Sequence, residues 1–567
     1  MDDPETFKLL QACQTTAVFQ LESRGMKDLI RKLVPDSFDE IVALVALFRP
    51  GPLESGMVGD YIDRKHGRAR VAYPHPALEH ILQPTYGVIL YQEQVMQIAQ
   101  ELAGYTLGAA DILRRAMGKK KPAEMAKQRI IFVEGAMERG VEEDLANMIF
   151  DQMETFAGYG FNKSHSAAYA LIAYQTAWLK THHQAAFMAA VLSSDMDNTD
   201  KVDEFIRECR ELGLEIQPPD INRSVHAFTD VDDETILYGL GAIKGVGHAA
   251  IDVIVLEREA HGPYGDLSDF CNRVDHQKVN RRALDVLIRS GAMDALDPEG
   301  NRARMLHELP DSVQAAEQYQ RDRESGQVDL FGSLGEAVAP RQLDHQAVRP
   351  WTRLQTLQAE RDSLGLYLTG HPVELQAQDL QRFTTCFLGQ VANRMPIDGK
   401  VNRRGTPMVL AGLVRAIRRR GNRGGFVAIE DHTGRIEMAL FDEAWTLYAE
   451  TLAKDEIVVV EGLVSADDFS GGFKLSAQKV MPLGEAKGRF ARGVQIALRG
   501  PRDSICSALQ HTFEPYRNGS GRVWLDYSNS RARARFELGE EWNVTVCEEL
   551  VAALGELDMV SDARLVY

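Results

Sequence analysis

Two stretches combine residue types able to handle phosphate. In LRRAMGKKKPAEMAKQR, residues 113–129, Arg115 and Lys119 are four apart and Arg114 and Lys121 seven apart, so on a helix they share one broad cationic face with Lys120 beside it. Such a face suits a triphosphate or a DNA backbone. A solvated helix end is the ordinary use of such residues. Against it, Glu124 is the one acid between Arg114 and Arg129, among seven basic residues, and Gly118 lets backbone approach a ligand. About forty residues on, GYGFNKSHSAAYALIAYQTAWLK sets Asn162, Lys163, Ser164 and His165 at the mouth of a helix, where backbone N–H groups favour anions. Asn162 or Ser164 could equally cap that helix, with Tyr169 and Tyr174 in the core. The lack of a nucleophile-elbow glycine pattern and of an acid placed to orient the histidine argues against nucleophilic catalysis by the Ser-His pair.

Weaker signals lie downstream. YGLGAIKGVGHAAIDV, residues 238–253, reads as an apolar, glycine-bearing hairpin opening into a helix; Gly239, Gly241, Gly245 and Gly247 allow the turn, and N–H groups near Gly245 and Gly247 could bind a DNA phosphate without reading sequence. Gln327, Asp329, Leu330 and Phe331, in QVDLF, form an apolar tail within a polar stretch, fit either to anchor in a partner's pocket or to fold back on a neighbouring domain. Arg403, Arg404, Arg418, Arg419, Arg420 and Arg423 crowd a strand-rich region near Phe426 and Phe441, the mix that binds single strands by charge and stacking; barrel core is the alternative use of the phenylalanines.

Carboxylates able to hold two Mg²⁺ ions for nucleotidyl transfer are not evident. Asp2-Asp3 is terminal, Asp232-Asp233 is in a polar turn and Asp467-Asp468 in a strand-connecting loop. No metal ligand and no catalytic residue is therefore assigned to this chain. The six cysteines are scattered singly, against both a zinc site and a disulfide framework.

The elements that must position these groups make a multidomain α+β chain. At 567 residues it exceeds one ordinary domain several-fold. Helical spacing in FDEIVALVALF, EQVMQIAQELAGY and EDLANMIFDQMETFAGY predicts an all-helical domain over 1–205. A helix-hairpin-helix region follows over 206–310, with NRRALDVLIRSGAMDAL as a candidate partner helix. Residues 311–350 read as a polar linker and 351–395 as a connecting segment. Over 396–486 three strands, a helix and two strands give the order of an OB-fold barrel. Short strands and helices over 487–567 give a small α+β unit. The net charge of −18 argues against indiscriminate coating of nucleic acid, but from Gly399 to Ile429 there are eight basic residues and no acid, so any such surface is local. No apolar run approaches 18 residues and the start MDDPETFKLL lacks a signal pattern, so a soluble, cytoplasmic, membrane-free chain is expected.

Together with FQLESRGMKDLIRKL at 19–33, ALFRPGPLESGM at 46–57 and PTYGVILYQEQVMQIA at 84–99, the two phosphate-handling stretches resemble the fingers domain of bacterial DNA polymerase III alpha subunits, the C-family replicative polymerases. The resemblance implies that Arg114, Arg115, Lys119 and Lys120, with Asn162, Lys163 and His165, hold the incoming deoxynucleoside triphosphate or the primer-template near it. It implies further that the QVDLF peptide binds the beta sliding clamp, that the barrel, through Arg403, Arg419, Arg420 and Phe426, meets single-stranded template, and that the C-terminal unit docks the tau subunit of the clamp loader. In that family the Mg²⁺-binding palm aspartates lie upstream of the region matching Met1, so the chain alone is expected not to polymerise. A separate, non-catalytic protein that binds primed DNA and the clamp is the alternative.

Overall fold

Helices begin where side chains can replace missing backbone partners. Asp3 accepts from the Thr6 N–H to start Pro4–Gln11, Ser23 from Met26 to start Arg24–Leu33, Asn162 from His165 to start Lys163–His182, and Asn198 from Lys201 to start Thr199–Glu211. The computed structural model describes residues 1–119, 122–157, 160–325, 348–395, 405–421, 424–467, 472–499, 505–528 and 533–567. They divide into two compact units, one of Met1–Pro350 with Asp362–Leu366, the other of Trp351–Arg361 with Tyr367–Tyr567.

The first unit opens with two helical cores. In one, the small residues Ala170, Ala173 and Ala177 bring Lys163–His182 close to Phe38–Leu47, around Phe7, Leu10, Ile30 and Leu44. In the other, Gln92–Ala103, Leu107–Lys119, Pro122–Glu138 and Glu143–Ala157 share Ile98, Leu113, Phe132 and Phe150. Tyr91 belongs to the first core and Val95 to the second, so the intervening Gln92, Glu93 and Gln94 lie on the seam.

Two expected boundaries are corrected. The helical domain does not stop at 205, because Val202, Phe205, Ile206 and Cys209 form one buried face of the continuous helix Thr199–Glu211. Nor does a linker begin at 311: helix Arg302–Ser325 runs through Pro310, held at its start by Arg302 on Asp294 (2.7 Å) and Arg304 on Asp297 (2.6 Å), and it buries Leu309 and Ala316. After helix Thr199–Glu211 come three short strands, β1 (Glu215–Gln217), β2 (Thr229–Asp230) and β3 (Thr235–Leu237), in the order β1-β3-β2.

In the second unit β4 (Thr406–Arg419), β5 (Gly424–Glu430), β6 (Arg435–Phe441), the helix Asp442–Tyr448, β7 (Ile457–Ala466) and β8 (Phe473–Pro482) close a barrel in the order β4-β5-β6-β8-β7. Inward alternation puts Val427, Ile429, Ile436, Met438 and Leu440 in its core. The supposed connecting segment is part of this unit's packing: Leu357, Tyr367, Val373 and Leu380 share a cluster with Ala411, Leu413, Val459 and Met481. Beyond it, β9 (Gly493–Arg499), β10 (Arg517–Ser528), β11 (Arg533–Glu537) and β12 (Val560–Val566) form a sheet in the order β11-β10-β9-β12, β9 and β10 parallel. Helices Ile505–Phe513 and Glu548–Gly555 contribute Leu509, Phe513, Leu550 and Leu554 to its core. Every residue of β11 is exposed, and its charges pair across to β10, Arg535 with Asp526 at 2.6 Å and Arg522 with Glu537 at 3.0 Å. Among the described residues no helix is long and apolar enough to cross a membrane.

Candidate nucleic-acid interface

The cationic helix Leu107–Lys119 carries its own acid. Asp111 Oδ1 accepts from Arg114 Nε (3.0 Å) and Nη2 (2.7 Å), and Asp111 Oδ2 pairs with Arg115 Nη2 at 2.7 Å. Residues three and four apart face one another on a helix, so an acid just before the basic run reaches both arginines. The hydrogen bond from Arg114, then the two positive charges, hold the Asp111 carboxyl below its ordinary range. Arg115 stays 67% exposed, open to a ligand while paired. Lys119 ends the same helix; Lys120 lies outside the described residues.

The second basic stretch meets the first through Gln92. Its Oε1 accepts from Arg114 Nη1 at 3.1 Å, its Nε2 donates to the Gly160 carbonyl at 3.1 Å, and its backbone N–H donates to the Phe161 carbonyl at 2.9 Å. Tyr91 and Phe161 form a parallel bridge just beside it. Gln92 thus links Arg114 to the segment that leads into Lys163 and His165, although about fifty residues separate them in sequence. Arg49, from the RPGP turn, lays its guanidinium over the Phe161 ring at 4.3 Å, and burial lowers its pKa.

At the mouth of Lys163–His182 the anion is already present. Both Glu93 oxygens accept from the Lys163 N–H, at 2.9 and 3.1 Å, and Asn162 Oδ1 accepts from the His165 N–H at 2.9 Å. The Lys163 and His165 N–H groups are therefore satisfied internally, and the side chains offered to an external anion are exposed Lys163, whose ammonium sits 5.5 Å from the Tyr91 ring centroid, and exposed His165, between Phe161 (5.2 Å) and Tyr169 (4.3 Å). Asn162 acts as the cap. Gln92, Glu93, Asp111 and Arg49 were given no role from sequence. Gln92 and Glu93 stand in the PTYGVILYQEQ stretch, which carried the resemblance, but an uncharged amide and a lone acid gave no chemical signal.

The glycines of the hairpin divide into two jobs. Gly245, at φ +88°, makes the turn, and Gly247 precedes helix His248–His261; a Cβ at either would meet open space, leaving room for a phosphate. Gly239 and Gly241 instead pack against the chain at 226–228, where a Cβ on Gly239 would come within 2.6 Å of the Ala227 carbonyl carbon. The candidate partner segment forms the helix Arg281–Arg289, capped by Asn280.

On the barrel, Phe426 and Phe441 are absent from the core. They alternate with the inward Val427 and Leu440, meet edge to face at 5.7 Å, and Phe441 is 45% exposed. Neither takes the alternative use as core: Gly424, on the face of Phe426, leaves space that the Phe441 ring fills, while Gly425, on the inward face, makes room for the core residue Trp445. Arg418 lies opposite Phe426 and pairs with Glu437, while Arg419 and Arg420 are exposed at the β4–β5 hairpin. Second and third barrel strands with the first hairpin make the usual oligonucleotide-binding side of this fold. Arg403, Arg404 and Arg423 lie outside the described residues, as do Gln327, Asp329, Leu330 and Phe331.

Among the described residues no three His, Cys, Asp or Glu side chains gather to hold a metal ion. Asp3 is engaged by Thr6 and His182, Asp232 accepts from the Glu234 N–H, and Asp468 lies outside the described residues.

Four family models match in order: the bacterial DNA polymerase III alpha subunit finger domain over 1–140, a helix-hairpin-helix motif over 213–305, an OB-fold nucleic acid binding domain over 408–483, and the DNA polymerase III subunit alpha C-terminal domain over 508–557. The DNA polymerase III subunit alpha of Vibrio cholerae is 51% identical over 568 residues, covering 98% of this chain and 48% of the relative. That of Escherichia coli is 50% identical over 562 residues, covering 97% and 48%. A solved structure, asparaginyl-tRNA synthetase from Pyrococcus horikoshii, is 30% identical over 14% of this chain and 20% of that one, with a TM-score of 0.13. The chain spans about half the length of the curated relatives it matches, and along that half it belongs to the bacterial DNA polymerase III alpha subunit family.

Proposed function

We propose that this chain supplies the nucleotide-facing and DNA-holding parts of a DNA-directed DNA polymerase that adds deoxynucleotides to a primer 3′ end. The observation that carries it is Gln92, which bridges Arg114 to the Gly160 carbonyl, two residues before the cap of the helix that carries Lys163 and His165. With Lys119 and Lys120, these cations grip the triphosphate of the incoming nucleotide by charge, without covalent chemistry of their own. Mg²⁺ would be held by carboxylates of the polymerase outside this chain, and would supply Lewis-acid chemistry at the primer hydroxyl and the leaving pyrophosphate.

The remaining parts hold the DNA and the assembly. The turn at Gly245 and Gly247 takes a duplex phosphate. Phe426 and Phe441, with Arg403, Arg419 and Arg420, take single-stranded template. Gln327, Asp329, Leu330 and Phe331 dock the beta sliding clamp, and the C-terminal sheet unit docks the clamp-loader tau subunit. The work is done in the cytoplasm.

In a polymerase containing this chain, replacing Arg114 and Arg115 by alanine should sharply reduce nucleotide incorporation, chiefly through a higher KM for nucleotide; unchanged kinetics would overturn the triphosphate assignment. Replacing Leu330 and Phe331 by alanine should abolish clamp-dependent processivity and spare short extensions. The 567-residue chain alone, given Mg²⁺ and primed template, should bind DNA without extending the primer.

A further inference from the structure

We propose that Gln92 is a positioning residue for nucleotide, acting through Arg114; this rests on the triphosphate reading above. A guanidinium offers five N–H donors in one plane. Asp111 takes Nε and Nη2 of Arg114, and Gln92 Oε1 takes Nη1, so the plane is held from both ends while, among the described contacts, two donors remain for a ligand. The other half of the same carboxamide, Nε2, is fixed on the Gly160 carbonyl, two residues before Asn162. One side chain therefore sets both the orientation of Arg114 and its separation from Lys163 and His165.

The backbone beneath Gln92 is rigid for an independent reason. Buried Gln94 accepts from the Leu90 and Tyr91 N–H groups at 2.8 and 2.9 Å, and its amide donates to Thr85 Oγ1 at 2.8 Å and the Ile81 carbonyl at 3.2 Å. The carboxamide of Gln92 thus projects from a fixed point on the seam between the two helical cores. Removing it leaves the charge of Arg114 intact and frees its direction. An ionic contact of the same charge but wandering geometry binds a triphosphate less well, with little effect on the chemical step once nucleotide is bound.

Single-nucleotide incorporation by a polymerase containing this chain tests the role, comparing Gln92→Ala, Gln92→Met, Arg114→Ala and the Gln92→Ala/Arg114→Ala double variant, with Tm recorded for each. Gln92→Ala and Gln92→Met should each raise KM for nucleotide about tenfold and change kcat less than about threefold. The double variant should be no worse than Arg114→Ala alone, because Gln92 then has nothing to orient. If Arg114→Ala leaves KM unchanged, the triphosphate reading itself fails. If Arg114→Ala raises KM and the Gln92 variants do not, the positioning role is wrong and the reading stands. Additive losses in the double variant would show Gln92 acting independently of Arg114. Recovery of wild-type KM and Tm by Gln92→Met would reduce the residue to filling space. Either result overturns the proposal.

Discussion

The Lys180 ammonium reaches Glu208 across 2.5 Å from a side chain with none of its surface exposed, and the same nitrogen donates to the Gln14 and Thr16 carbonyls at 2.9 Å each. Burial pulls its pKa down against the pull of Glu208, and the contacts tie helix Lys163–His182 to helix Thr199–Glu211 and to the chain near residue 15. Lys180→Ala leaves a largely enclosed carboxylate and two carbonyls without this donor. It should lower the unfolding free energy of this unit by about 3 kcal/mol, read from urea unfolding monitored at Trp178 on the same helix.

Asp3 gives the N-terminal helix a sensitivity to acid. Hydrogen bonds from Thr6 and then His182 bring its pKa from the ordinary 3.8 to about 2. A folded pKa below the unfolded one stabilises the fold above the unfolded value, and that stabilisation fades as pH falls through the folded value. The stability difference between the native chain and Asp3→Asn should therefore be full above pH 3.8 and vanish by about pH 2. A difference that stays constant across that range would show that Asp3 contributes through shape alone.

The hairpin glycines separate in a substitution series. Gly247→Ala, at φ −77° with open space around the missing Cβ, should change stability by less than about 0.5 kcal/mol. Gly239→Ala must push into the chain at 226–228 and should cost more than about 2 kcal/mol. Equal costs, by thermal unfolding, would contradict the close approach.

Stacking on the barrel is open to direct measurement. Phe441→Ala should raise the Kd for a single-stranded oligonucleotide about tenfold in fluorescence anisotropy. Because the ring is 45% exposed and outside the core, Tm should barely move. Replacing Arg419 and Arg420 by alanine should flatten the salt dependence, lowering the log–log slope by about 1.4.

The barrel was legible in the sequence from its order of strands and helix and from the clean alternation of β6, with Ile436, Met438 and Leu440 inward; in β5, an unbroken apolar run, Val427 and Ile429 turn inward by strand geometry. The same alternation decides that Phe426 faces outward, although a phenylalanine's affinity for core argues the other way. Strand β12 went unseen because VSDARLV buries one residue, Leu565, and is held by register with β9. The length of Arg302–Ser325 was hidden by its polar surface and Pro310, since what anchors it is ion pairing with Asp294 and Asp297, fixed by the fold. At the site, the cations were visible as a run of charge. Their partners Asp111, Glu93 and Gln92 were not, because a carboxylate one turn earlier and an amide on another helix acquire meaning only through contact.

The two sheets of the second unit meet the hazard of unpaired backbone in different ways. The barrel has no edge, since β6 joins β8 and β7 returns to β4. The C-terminal sheet ends on β11, fully exposed, with arginines at 533 and 535 and Glu537 along it. A neighbouring strand that tried to extend that sheet would have to strip water and ion-pair partners from these charges, so the edge resists intermolecular pairing. During synthesis, when many copies emerge together, that resistance guards the chain against aggregation at its most open strand.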